Sequence, residues 1–181
     1  MIIYISILRG INVGGHNQLK MEVLREMYVK LGYTNVQTYI QSGNVIFCAQ
    51  SNDKLSIEKK IIDKIRESFE INVQVMILTI DELRNALKNN PFISDSSKNP
   101  AYLHLTFLSV IPKDELLIKI STGNYSPDEY HYSDKTIYLF CPIGYGNTKL
   151  NNAFFENKLK LIATTRNLKT ATELLAIALK I

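Results

Sequence analysis

The chain is short of the groups that most enzyme chemistry needs. Of 181 residues two are cysteine, three are histidine and none is tryptophan. Cys48 and Cys141 each lie in an apolar stretch expected to be strand, so they read as packed thiols rather than a disulfide. His16, His104 and His131 are scattered without metal-ligand spacing, which excludes a zinc pattern, and no metal site is expected. No apolar run approaches the roughly 20 residues a membrane span requires, and the first residues lack a basic leader region. The expectation is a cytoplasmic protein with no membrane partner. No G-x-S-x-G elbow is present, and Ser42 has no histidine near it in sequence. The paired acids Asp81-Glu82 and Asp114-Glu115 fall in expected helix first turns, where they complement the dipole. Asp128-Glu129 opens an expected strand. No catalytic residue or general base is nominated, and the sequence leaves any cofactor unknown.

What is present is an ordinary globular composition, 46% hydrophobic and 21% charged. The length suits one compact domain or two small ones. The net charge of +4 is unevenly placed. Residues 1–148 hold fifteen basic and fifteen acidic side chains, whereas 149–181 hold six basic against two acidic. The excess is expected in two closing helices at about 149–160 and 168–180, and such an asymmetry suits an anionic partner.

The patterning repeats. Residues 2–8, IIYISIL, form a nearly continuous apolar run of an interior strand. A helix follows at about 20–31, then strands at 35–40 and 44–49 joined by Gln41-Ser42-Gly43. Ile57, Ile61, Ile62, Ile65 and Phe69 stripe a helix over about 54–69, and Val73, Val75 and Ile77 alternate as a strand. A further helix starts at Thr79, with capping-box spacing to Glu82, and Pro91 ends it. The polar stretch SDSSKNP (94–100) reads as a linker. Beyond it come a strand at 103–107, a helix at 112–120 with Pro112 at its first position, and a hairpin through Ser133-Asp134-Lys135. The fold class is therefore α+β: two ferredoxin-like, split βαβ units with largely antiparallel sheets and helices packed on the faces. The expected units are 1–92 and 100–181, joined by 93–99.

The stretch RGINVGGHN (9–17) leaves the first strand. Gly10 and Gly15 have Walker spacing, but His16 and Asn17 stand where Lys and Ser/Thr are required, so nucleotide hydrolysis at a P-loop is rejected. Gly14 and Gly15 can still turn successive N–H groups toward one anion, near a helix N-terminus and the charge of Arg9. A glycine crossover with no ligand is the structural alternative.

RGINVGGHN, TYIQSGNVIF (38–47), TKLNNAFFENKL (148–159) and ATTRN (163–167), in that order, resemble domain of unknown function family 1697. The resemblance implies a small, mainly bacterial protein with two ferredoxin-like units and no assigned activity. Its family-like polar positions are Arg9, Asn12, Asn17, Ser42, Asn44, Lys149, Arg166 and Asn167. The chain departs from the family pattern at His16, where lysine is frequent, at Asn147, where arginine is common, and at Leu168-Lys169, which replace Trp-Asn.

Asn167 is placed to cap the last helix, with Arg166 beside that start and Lys149 opening the helix before it. Cations are disfavoured at such positions, and a bound anion relieves them. The first functional reading is a small anionic or phosphorylated ligand, in a cleft between the units, held by Arg9, Asn12, Gly14, Gly15, Asn17, Ser42, Asn44, Lys149, Arg166 and Asn167. The second is an RNA- or DNA-binding module using the basic closing helices, with Tyr4 and Phe47 as stacking candidates. The third is an interaction domain without a ligand, one form of which is a homodimer through strand edges. The sequence leaves the oligomeric state open.

Overall fold

The computed structural model describes residues 1–13, 15 and 17–181. They divide into two compact units, Met1–Arg84 with Glu173–Ile181, and Asn85–Thr172. Each unit carries one four-stranded antiparallel sheet.

In the first unit the order is β1 (Ile2–Arg9), α1 (Met21–Lys30), β2 (Thr34–Tyr39), β3 (Asn44–Ala49), α2 (Lys54–Phe69) and β4 (Gln74–Thr79). The sheet runs β2-β3-β1-β4, with Tyr4 opposite both Phe47 and Thr79. Alternation along β1 sends Tyr4 and Leu8 toward the helices, where they pack with Phe47, Leu24, Tyr28, Ile57, Ile61 and Ile65. Helix α2 forms because its isoleucines recur at helical spacing. The Asp53 side chain starts it, accepting from the Ser56 N–H at 3.1 Å. After β4 comes α3 (Ile80–Lys88), whose capping box is closed in both directions. Thr79 N–H donates to Glu82 at 2.8 Å and Glu82 N–H to Thr79 Oγ1 at 3.1 Å. Burial works to raise the Glu82 carboxyl, but the Lys54 ammonium and the Thr79 N–H outweigh it and hold the group below its usual range.

The second unit runs β5 (Leu103–Leu108), α4 (Asp114–Ser121), β6 (Glu129–Ser133), β7 (Thr136–Phe140), α5 (Asn152–Leu159) and β8 (Ala163–Asn167), with sheet order β6-β7-β5-β8. Leu108, Ile137, Leu139, Leu150, Phe155 and Leu159 fill its helix-side core. Helix α6 (Leu168–Ala178) follows β8. Segment 91–98 is a series of turns, and Lys98 pins it to the sheet. Its ammonium pairs with Glu129 of β6 and lies 4.6 Å from the Phe140 ring centroid of β7.

Three boundaries depart from expectation. Residues 163–167, to which the sequence patterning assigns no helix or strand, are the fourth strand of the second sheet, antiparallel to β5 with Thr106 opposite Thr165. Helix α4 starts at Asp114 behind Lys113, so Pro112 precedes the helix instead of opening it. Helix α5 starts at Asn152 and is capped by Asn151, whose side chain accepts from Phe154 N–H at 3.0 Å. Lys149 therefore lies outside that helix. Of the six late cations, only Lys158 and Lys169 fall within α5 and α6. Arg166 is in β8, Lys160 is the left-handed residue after α5, and Lys180 follows α6. The excess charge is spread over loops, a strand and the two helices, not gathered on the helices alone.

Cys48 and Cys141 are buried and free, as packed thiols should be. Burial, aided by Asp128, pushes the Cys141 thiol up to about 11, so it stays protonated.

Candidate functional site

The loop after β1 and the turn between β2 and β3 form the most unusual backbone of the first unit. Gly10, Asn12, Gly15 and Asn17 in the loop, and Ile40 and Gly43 in the turn, all have positive φ. Glycine and asparagine adopt that region at small cost; a β-branched residue does not. Ile40 holds φ of 48° while 48% exposed, so no burial offsets its strain. Backbone strain of this kind clusters at binding sites and switches. Ile40→Asn is accordingly expected to stabilise the protein by about 1 kcal/mol in urea unfolding. An unchanged or lower midpoint would show that the turn gains from the isoleucine.

Asn12 ties the two segments together. Its Nδ2 donates to the Leu19 carbonyl and to the Gln41 carbonyl, both at 2.8 Å, and its Oδ1 accepts from Leu19 N–H at 2.8 Å. Asn17 Nδ2 donates to the Gly10 carbonyl at 3.0 Å, and Asn12 N–H reaches the Asn17 carbonyl at 3.2 Å. Asn44 is fully buried, and its Nδ2 donates to the Tyr39 carbonyl and to Ser42 Oγ. These family-like amides hold the loop and the turn in shape.

Beside them lies an open concavity of ≈ 710 Å³, lined by Asn12, Gly15, Gln18, Lys20, Glu22 and Gln41 among others. It sits over the start of α1. Lys20 is the cap residue of that helix, and its side chain makes no capping bond. The first N–H to bond back is that of Leu24, to the Lys20 carbonyl. The N–H groups of Met21, Glu22 and Val23 are thus left uncapped among the described residues, with the positive end of the helix dipole behind them. Of the expected site residues, Asn12 and Gly15 line this concavity. Arg9 is half-buried at the end of β1, opposite Gln74. Gly14 lies outside the described residues, as does His16. Gln18, Lys20 and Gln41 were not singled out from the sequence; the uncapped start of α1 was the available signal, since Lys20 stands where a capping Ser, Thr, Asp or Asn is usual.

The remaining expected residues belong to the second unit. Asn167 ends β8, and its Oδ1 accepts from Thr170 N–H at 2.7 Å, the bond expected of a helix cap. Arg166 is half-buried and donates through Nη1 to its neighbour's carbonyl, Thr165 O, at 2.8 Å. Burial pushes its guanidinium down to about 10, against a smaller opposing effect of Tyr145. Lys149 is exposed. Between β8 and α5 a hydroxyl chain is satisfied internally. Thr106 and Thr165 share a hydrogen bond of 2.7 Å, and Thr165 Oγ1 donates to Asn152 Oδ1 at 2.7 Å.

His104 is 9% exposed and stacks on Tyr145 with 4.9 Å between ring centroids. Its Nδ1 donates to the Tyr102 carbonyl. Desolvation lowers its pKa, with that hydrogen bond opposing. The unfolded chain therefore binds the proton more readily. Stability due to this residue is full above the unfolded value of about 6.5 and is lost as pH falls below it. His104→Gln is expected to flatten the unfolding midpoint between pH 7 and 5; the same slope in the variant would assign the pH dependence to carboxylates.

Tyr4 and Phe47 are 1% and 0% exposed, on the helix side of the sheet. They are core residues, which removes the stacking pair from the nucleic-acid reading. Among the described residues no group of three His, Cys, Asp or Glu is placed to hold a metal ion, and no helix is long and apolar enough to cross a membrane.

The fold is shared with a solved structure, described as that of conserved bacterial protein SP0830 from Streptococcus pneumoniae. The two are 22% identical, with a TM-score of 0.72 and 98% of each chain covered. At that identity the likeness speaks for architecture alone. No curated protein matches the chain. A family model described as Protein of unknown function (DUF1697) matches residues 1–138, and the chain belongs to that family.

Proposed function

We propose that the protein binds a small ligand through an anionic group, in the concavity over the start of α1. The observation that carries this reading is the coincidence of three features at one place. An uncapped helix N-terminus, the Lys20 ammonium and the left-handed Gly15 all border a hollow of ≈ 710 Å³. Helix N–H groups and the dipole favour a negative partner, and a glycine lets the backbone approach it closely. The Asn12, Asn17 and Asn44 side chains hold the backbone at Gln41, Gly10 and Tyr39 beside the hollow.

The test is an amide chemical-shift titration of the full chain with inorganic phosphate and with acetate. Saturable shifts at Gly15 and at residues 19–23, weakened in Lys20→Gln, support the reading. Shifts confined to other regions, or none at millimolar anion, end it.

A further inference from the structure

We infer that strand β6 is the interface of a homodimer, in which the second-unit sheets of two chains join edge to edge as antiparallel neighbours. Each sheet ends in two edge strands, β2 and β4 in the first unit and β6 and β8 in the second. An edge carries a row of unpaired N–H and C=O groups, which proteins cover, bend or interrupt. Residues 75–78 of β4 and 163–165 of β8 are buried without a break. Strand β2 is more exposed, but its register shifts between Thr34 and Gln37, where Asn35 has φ of 51°. A bulge of this kind spoils the edge as a template. Strand β6 has neither device: its residues pair with β7 in unbroken register, and none is proline or glycine.

The Lys135 carbonyl accepts from Leu108 N–H and so faces β5. By alternation Thr136, Tyr138 and Phe140 face β6 and hold Ser133, His131 and Glu129. The N–H and C=O of Tyr130 and Tyr132 therefore point away from the sheet, and no other backbone group of the described residues reaches them. A second copy of β6 fits this edge in one register over its whole length. A dyad through His131 sets Tyr130 opposite Tyr132 of the second copy, and Tyr132 opposite its Tyr130. Every outward N–H then meets an outward carbonyl. Glu129 faces Ser133, and His131 faces its own counterpart, so no carboxylate opposes a carboxylate along the ladder. On the helix side the Tyr130 and Tyr132 rings are half-buried beside Tyr125 and Phe154. The facing tyrosines extend that cover across the dyad, and cross-strand aromatic pairs are favourable. This match in length, hydrogen bonding and ring pairing selects a second copy over an unrelated strand. The dyad closes the assembly at two chains.

The experiment is disulfide trapping of the full chain, read beside its mass in solution. The two native cysteines are buried. His131→Cys sets two thiols in a directly opposed, non-hydrogen-bonded pair with about 4.5 Å between Cα atoms, within disulfide reach. Ser133→Cys sets them roughly 13 Å apart along the strands. Mild oxidation is expected to link the His131→Cys chain about tenfold faster than the Ser133→Cys chain. Sedimentation of the wild-type chain is expected to show a dimer at about 100 µM. Tyr132→Pro is expected to abolish it, since the N–H removed lies on the outward edge and not in the β7 ladder. Thr38→Pro, on the bulged β2 edge, is expected to leave it intact. A wild-type monomer throughout, equal trapping at positions 131 and 133, or an undiminished dimer in Tyr132→Pro overturns the inference. Should Tyr132→Pro fail to fold, His131→Glu decides: facing carboxylates at the dyad weaken the dimer about fivefold, and an unchanged dimer overturns the inference.

Discussion

Gly43→Ala is expected to destabilise the protein by about 2–5 kcal/mol. Gly43 has φ of 73°, where an alanine is strained by about 1–2 kcal/mol. A Cβ there would also lie 2.5 Å from Ile11 Cδ1 and 2.8 Å from Leu8 Cβ. Ile11 and Leu8 are fully buried, so neither can swing into solvent. Relieving the overlap means moving the turn, and the Gly43 carbonyl is tied at 2.8 Å to the Leu8 N–H. Overpacking of this kind adds about 1–3 kcal/mol to the backbone strain. Gly32 supplies the control. Its φ is 86°, but a Cβ there meets nothing within 4 Å, so Gly32→Ala is expected to cost only the backbone strain of about 1–2 kcal/mol. Urea unfolding of the two variants separates the contributions. Equal midpoints would mean that the turn slides away from Ile11 without penalty. Displacing the turn also displaces Gln41, so Gly43→Ala is expected to weaken any ligand shift at the α1 start.

Much of this architecture is legible in the sequence because the strands and helices of the first unit declare themselves through periodicity. The isoleucine stripe of α2 and the apolar run of β1 leave no other assignment. The capping box of Thr79 and Glu82 is likewise readable, since it depends on two residues three apart. Strand β8 is different. ATTRN has no apolar alternation, and the buried Thr165 hydroxyl is satisfied by Thr106 and Asn152, partners remote in sequence. The signal that could have located it is the repeat itself. A second split βαβ unit requires a final strand after α5, and only residues 160–167 remain for it. The helix start assigned to Lys149 misleads for a local reason: Asn151 caps α5 from two positions further on.

The candidate site was legible only as a set of residue types. Glycines and asparagines in RGINVGGHN suggest an anion loop, yet the asparagine amides turn out to be bonded to backbone carbonyls. The Asn12 bond to the Gln41 carbonyl also needs the β2–β3 turn to lie against the loop, a long-range fact that spacing along the chain does not encode. Arg166 was attractive as a cation at a helix start. It does stand one residue before the Asn167 cap of α6, within β8, with its guanidinium on the Thr165 carbonyl.

Asn12→Ala is expected to cost about 2–4 kcal/mol, because one side chain makes three hydrogen bonds, each at 2.8 Å, with a net value of about 0.5–1.5 kcal/mol apiece. Alanine also inherits a φ of 54° that asparagine tolerates and alanine does not. Asn12→Gly removes the same bonds without that strain, so it is expected to be the milder variant by about 1 kcal/mol. Hydrogen exchange distinguishes the role of the side chain from a general loss of stability. The Leu19 N–H donates to Asn12 Oδ1, so in both variants its protection should fall further than that of Leu24, whose N–H bonds within α1. Equal losses at Leu19 and Leu24 would mean that the unit loosens as a whole. A selective loss at Leu19 identifies Asn12 as the residue that positions loop 12–19 against Gln41. In that case ligand shifts at Gly15 and Lys20 should weaken in Asn12→Gly even under conditions where the fold is fully populated. That result would separate a residue that shapes the site from one that touches what binds there.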